Sequence, residues 1–154
     1  MKKIDVNFKK PSQQQINNLS ELYQARKYTD TEKLSLSITE EFPKHPFAWK
    51  VLGAILKQTN RISESLVASQ KCVQLDPQDA EAHNNLGNTL KELGRLDEAE
   101  ASLRQAIALK PNYAEAHYNL GILIQKFERL KEAEASYKKA ITLKPDYSDV
   151  HNNL

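Results

Sequence analysis

Two side-chain types recur in this chain at an interval that could organise chemistry. His83, His117 and His151 stand 34 residues apart, and Asn85, Asn119 and Asn153 follow each of them by two positions. A set of imidazoles could ligate a metal ion, and a row of carboxamides could pair with the amides of an extended chain, since each offers both donor and acceptor. The single cysteine, Cys72, could act as a nucleophile if it were exposed among positive charges. Which of these is possible depends on the elements that hold the residues.

The interval of 34 is a repeat. The stretch AEAHNNLGNTLKELGRLDEAEASLRQAIALKPNY (80–113) returns as AEAHYNLGILIQKFERLKEAEASYKKAITLKPDY (114–147), with 20 of 34 positions identical. Residues 46–79 follow the same frame more loosely, and 12–45 form a divergent first copy. In that copy QINNLSELY fits one frame and YTDTEKLSLSITEEFP a frame displaced by one residue, which predicts a deletion near 25–28, with Ser20 in place of glycine and Thr31 or Glu32 in place of alanine. An end copy packs on one side only and escapes part of the constraint. Residues 1–11 read as a basic arm without the apolar run of a signal peptide or membrane span. Residues 148–154 begin a further copy, which predicts that the chain is the N-terminal segment of a longer protein.

Each copy has helical apolar period, broken once. His83, Leu86, Gly87 and Leu90 share one face of a helix over about 80–93; Gly94 stops it, and Asp97 and Glu98 suit the start of a second helix ending before Pro111. Ala99, Leu103, Ala106 and Leu109 form the buried face of that second helix. Gly87 opposite Ala99, and Gly121 opposite Ala133, are small where the two helices approach. Pro43, Pro77, Pro111 and Pro145 punctuate the copies. The fold class is therefore all-α, a solenoid of helix-turn-helix repeats. A net charge of +2 points to no nucleic-acid or membrane partner, and a single cysteine suits a reducing, cytoplasmic setting.

The Leu-Gly pairs Leu52-Gly53, Leu86-Gly87 and Leu120-Gly121, the small residues Ser65, Ala99 and Ala133, and the closing prolines Pro77, Pro111 and Pro145 carry a resemblance: the chain resembles tetratricopeptide repeat (TPR) proteins. The resemblance implies a right-handed superhelix of helix pairs whose first helices line a concave, protein-binding groove. HNNLGNTLKELGRLDEAEA resembles the repeats of O-linked N-acetylglucosamine transferase, where a similar asparagine ladder lines the superhelix. FPKHPFAWKVLGAIL resembles N-terminal TPR arrays of bacterial glycosyl- and sulfotransferases.

Against that background the histidines fill equivalent slots in successive copies, a slot Trp49 also fills, and copies stacked about 10 Å apart cannot share an ion held by bonds of about 2 Å. No metal, no cofactor and no catalytic group is expected, and Cys72 reads as a small core residue. The informative surface is the face of each first helix opposite the core stripe. It comprises Glu81, Asn85, Asn88 and Glu92 in one copy and Glu115, Asn119, Ile122 and Lys126 in the next, with Lys50, Asn18 and Asn153 at related places. Asn18, Asn85, Asn119 and Asn153 form a candidate ladder, interrupted at Val51, that would read a peptide backbone; asparagine as a merely tolerated polar residue is the bland alternative. A clamp for a C-terminal carboxylate is disfavoured, because Glu81, Glu92 and Glu115 oppose an anion. Convex-face charges such as Arg104, Lys138 and Lys139 read as a solvated surface. The expected activity is binding of a protein or peptide segment. Alternatives are a substrate-recruiting arm of a longer glycosyl- or sulfotransferase, or self-assembly into a homo-oligomer through an open final copy exposing Tyr137 and Ile141.

Overall fold

The computed structural model describes residues 9–147. In chain order its elements are α1 (Gln13–Gln24), α2 (Tyr28–Glu41), α3 (Pro46–Gln58), α4 (Ile62–Leu75), α5 (Ala80–Glu92), α6 (Leu96–Leu109), α7 (Ala114–Lys126) and α8 (Leu130–Leu143), with no strand among the described residues. None of these helices is long and apolar enough to cross a membrane. Odd and even helices pair as antiparallel hairpins, and each pair stacks on the next. The further copy at 148–154, with His151 and Asn153, lies outside the described residues, as does most of the basic arm.

The register is constant through all four pairs, and the deletion expected near 25–28 is absent. The even helices start at 28, 62, 96 and 130. The turns before them place Arg26 (φ 56°), Asn60 (60°), Gly94 (73°) and Glu128 (58°) in the left-handed region, again 34 apart. That backbone is free only for glycine and costs other residues about 1–2 kcal/mol. Gly94 is thus one instance of a turn that helix pairing imposes on any side chain. Counting back from Gly53 by 34 lands on Leu19, not Ser20, and from Ser65 on Thr31. Leu19 is fully buried among Ile38, Phe42, Ala48, Val51 and Ile55, so the first pair is filled by a large apolar side chain where the others close on glycine. A leucine in a glycine slot is what displaces the apparent frame.

Helix starts are secured in two ways. Ser12 and Gln15 form a reciprocal cap on α1: the Ser12 hydroxyl accepts from the Gln15 amide (3.1 Å), and Gln15 Oε1 accepts from the Ser12 amide (2.8 Å). At α4, α6 and α8 the preceding arginine binds an acid in the first helical turn, as Arg61–Glu64 (2.5 Å), Arg95–Glu98 (2.6 Å) and Arg129–Glu132 (2.5 Å). Arg129 also reaches Glu100 (2.9 Å) on the preceding even helix, and Arg61 reaches Glu32. Arg104 is not simply solvated, for it pairs with both Glu100 (2.8 Å) and Glu132. Such exposed pairs contribute about 0–1 kcal/mol each, so packing must supply most of the stability.

The close approach within each pair is met differently from copy to copy. A Cβ on Gly87 would stand 2.7 Å from Leu103 Cγ and 3.2 Å from the Ala99 carbonyl oxygen. At Gly121 the nearest atoms belong to the ring of Tyr137, in the slot that Leu103 fills one copy earlier, and its Cε1 lies 2.5 Å from where a Cβ would be. Tyr137 is 2% exposed, and its hydroxyl donates to Gln125 Oε1 (2.8 Å). It is therefore core, not the exposed end surface expected for self-assembly; Ile141 is half-buried beside the same cluster. In the second pair, Ser65 at the small-residue slot donates its hydroxyl to the Gly53 carbonyl (2.8 Å). Cys72 is 1% exposed, and burial, followed by the nearby Asp79 carboxylate, pushes its thiol up to about 12.

Three outcomes follow from this packing. Gly121→Ala should lower stability by about 1–3 kcal/mol, because the Tyr137 ring is enclosed and tied to Gln125; adding Tyr137→Leu should recover part of the loss in a double-mutant cycle read by chemical denaturation. Glu128→Gly should instead raise stability by about 0.5–1 kcal/mol by relieving the left-handed turn, net of the added freedom of the unfolded chain. The Cys72 thiol should resist a disulfide reagent at pH 8 in the native protein and react at once in denaturant.

Candidate peptide-binding groove

The odd helices form the inner wall, and two features lock α3, α5 and α7 to their neighbours. The first is a latch at their N-terminal ends. Trp49 Nε1 donates to the Pro43 carbonyl (2.9 Å), and His83 and His117 place Nε2 at 3.0 and 2.9 Å from the carbonyls of Pro77 and Pro111. A carbonyl only accepts, so each Nε2 carries a proton and is unavailable to a metal. Among the described residues no group of His, Cys, Asp or Glu could hold a metal ion. The shared task of Trp49 and the histidines is therefore more specific than filling space: a ring N–H ties each of α3, α5 and α7 to the proline carbonyl six residues earlier.

The second feature joins one pair to the next. Lys50 Nζ binds Asp79 (2.9 Å) and Glu81 (3.0 Å). One copy later, Asn84 Nδ2 donates to Glu115 Oε1 (3.0 Å) and Tyr113 Oη (3.4 Å). One copy later again, the Tyr118 ring packs on Tyr147 with centroids 5.0 Å apart. The same slot thus mates with the same sites of the following copy as an ion pair, a hydrogen bond and an aromatic contact in turn. Asp79 also caps α5, accepting from the amides of Glu81 (2.9 Å) and Ala82 (3.2 Å). Burial pushes the Asp79 carboxyl up, but the bonds from Lys50 and Ala82 outweigh it and hold it below the ordinary range. Burial likewise pushes the Lys50 ammonium down, and its two carboxylate partners more than restore it.

Between these joints opens a concave pocket of about 410 Å³, lined by Tyr23 of α1, Phe47 and Val51 of α3, Glu81 and Asn85 of α5, and Tyr113 at the start of α7, among others. Aromatic and apolar side chains share its lining with the Glu81 and Glu115 carboxylates, the Lys50 ammonium and the Asn85 and Gln24 carboxamides. Burial first, then the Glu115 and Glu81 carboxylates, push the Tyr113 phenol well above the ordinary range.

The residues expected to line the groove separate into distinct environments. Asn85 is half-buried on the pocket wall. Glu81, Glu115, Glu92 and Lys126 are exposed, and Ile122 is half-buried beside the core of the last two pairs. Lys50 is committed to its two carboxylates. Asn88 and Asn119 are each only 8% exposed, contrary to their expected place on a free surface. Asn119 Nδ2 donates inward to Asn84 Oδ1 (3.0 Å), and Asn88 Oδ1 is a buried acceptor with no donor. Asn18 is exposed on α1 but out of register, since 34 residues before Val51 stands Asn17. Asn153 lies outside the described residues. The ladder is thus not a uniform row.

Sequence reasoning missed Asn84, Tyr113, Tyr23 and Phe47. The signal for Asn84 was present: Lys50, Asn84 and Tyr118 occupy one slot, and each faces residues 29 to 31 positions downstream. Tyr23 could not be placed, because the curvature that brings α1 towards Glu115 is a property of the whole stack.

Comparison with known proteins agrees with this geometry. A family model described as TPR repeat matches residues 87–126, and two described as tetratricopeptide repeat match 68–101 and 114–147. No curated protein matches the chain. Among solved structures, the chain is similar to YrrB, described as a TPR protein with an unusual peptide-binding site (22% identity, 90% of this chain and 72% of that one, TM-score 0.78). It is also similar to MamA from Desulfovibrio magneticus (20%, 87% and 76%, TM-score 0.76). A third is the first TPR of Spaghetti bound to the HSP90 peptide SRMEEVD (22%, 71% and 86%, TM-score 0.69). At these identities the likeness is one of fold, a stack of paired helices. Helix pairs in a constant 34-residue register, closed by glycine and proline and matched by repeat models that together span 68–147, identify the chain as one built of tetratricopeptide repeats.

Proposed function

We propose that this chain is a protein-interaction module that holds an extended peptide or protein segment in the concave groove. The observation that carries the reading is the pocket to which α1, α3, α5 and α7 all contribute: a ligand there contacts four copies at once, as solenoid binding surfaces do. Phe47, Val51 and Tyr113 supply apolar surface, and the Asn85 carboxamide presents a donor and an acceptor to a backbone amide. The peptide-binding site ascribed to YrrB and the peptide held by Spaghetti add support by likeness of fold. The burial of Tyr137 removes one of the two residues expected to expose a self-assembly surface.

Asn85 and Asn119, alike in sequence position, should respond differently to truncation. In peptides selected from a random library, Asn85→Ala should weaken binding by about 1 kcal/mol, roughly fivefold, with the melting temperature unchanged. Asn119→Ala should lower stability by about 1–3 kcal/mol, because it strips the donor from the buried Asn84 Oδ1. Lys139→Ala, on the exposed face of α8, should do neither. A library that yields no peptide sensitive to Asn85→Ala would remove the groove from consideration.

A further inference from the structure

The two long edges of the groove carry opposite charge, and the cause lies in how the helices stack. Each odd helix runs in the same direction, so side chains that complement its dipole fall on the same edge in each copy that carries them. Glu81 and Glu115 stand in the first turns of α5 and α7, with Asp79 at the cap of α5. Lys91 and Lys126 stand in the last turns of the same helices, with Lys57 at the place of Lys91 on α3 and Glu92 at the place of Lys126 on α5. From Glu81 to Lys91 is about 15 Å along the helix, the span of a lysine and a glutamate side chain pointing to opposite sides of an extended backbone.

Part of each edge is already neutralised. Lys50 answers Asp79 and Glu81, and Lys57 binds Glu92 (3.2 Å). What remains is unanswered: Lys91 and Lys126 have no carboxylate partner among the described residues, and Glu115 commits only Oε1, to Asn84. Groups along each edge register the field. Burial first, then Lys57, with Lys126 adding to them, hold the half-buried Lys91 ammonium below an ordinary lysine against the opposing pull of the Glu92 carboxylate. Burial first, then Tyr28 and Glu115, push the Tyr23 phenol up across the groove.

We propose that the groove selects extended segments in which acidic and basic side chains alternate, so that the acidic row lies along the Lys91–Lys126 edge and the basic row along the Glu81–Glu115 edge. The proposal rests on the groove being the binding surface and specifies its ligand. Alternation is what an extended chain supplies, since successive side chains point to opposite sides. A ligand of one sign meets like charge on one edge whichever way it lies, and reversing the direction of an alternating ligand keeps both rows matched.

The test compares dye-labelled peptides EKEKEKEK, octa-lysine, octa-glutamate and SQSQSQSQ by fluorescence anisotropy on the whole chain. Like charges at i,i+4 keep the alternating peptide from folding as a helix. It should bind about tenfold tighter than each of the others at low salt, and the advantage should collapse near 1 M salt. Lys91→Glu with Lys126→Glu makes both edges acidic and should turn the preference to octa-lysine; Lys126→Glu alone, at an exposed helix end, should shift it in the same direction if the double variant does not fold by circular dichroism. Equal binding of EKEKEKEK and SQSQSQSQ, unmoved by these substitutions, would overturn the charge selection and leave the groove reading standing. Failure of every peptide to bind would overturn both.

Discussion

Each helix pair leaves an apolar stripe that it cannot cover itself, and only the next pair, stacked in the same register, removes that stripe from water. Leu90, Leu103, Leu120, Leu123, Ile124 and Tyr137 form one such shared core across the last two pairs, and Leu19, Ile38, Val51 and Ile55 another across the first two. The rest follows from keeping this stacking in step. The left-handed turns at 26, 60, 94 and 128 recur at 34 whether the residue is Gly, Asn, Arg or Glu, because the apolar gain of the stacked pair outweighs a backbone cost of about 1–2 kcal/mol.

Stacking of near-identical copies raises a problem of order, and the junction slots answer it chemically. Lys50 requires carboxylates, Asn84 requires acceptors and Tyr118 requires a ring, so each joint fits the copy that follows it. A shifted stack would set the Lys50 ammonium against Tyr113 and Glu115, leaving Asp79 and Asn84 short of partners. The consequence reaches the groove. Lys50, Glu81, Glu115 and Asn119, which look like ligand contacts on a helical wheel, spend some or all of their bonding capacity holding copies together. The binding surface is left to Asn85, the apolar side chains of the lining and the charges at the two edges.

Much of the architecture was legible before any coordinates, because a 34-residue period of apolar, small and proline positions has few physical solutions. The helices α5 and α6, the close approach at Gly87 and the burial of Cys72 stand where the pattern places them. The first copy was misread because Leu19 fills a glycine slot, and similarity of residue type is then a poor guide to register. At Gly87 and Gly121 alike the nearest side chain is the one a turn beyond the expected small residue, Leu103 and Tyr137, because these longer side chains reach into the gap that the glycine leaves.

The amino-acid sequence by itself determined the helix pairs, their period and which face of each is apolar, since these depend on local periodicity and turn residues. Tertiary structure decided which polar groups remain free. Asn85 and Asn119 are the same residue at the same phase of the same repeat, yet one faces the groove and the other donates to Asn84, because the partner comes from a neighbouring helix. The opposed charge of the groove edges is likewise a property of the stack, as it exists only once parallel helices bring their first turns to one side and their last turns to the other.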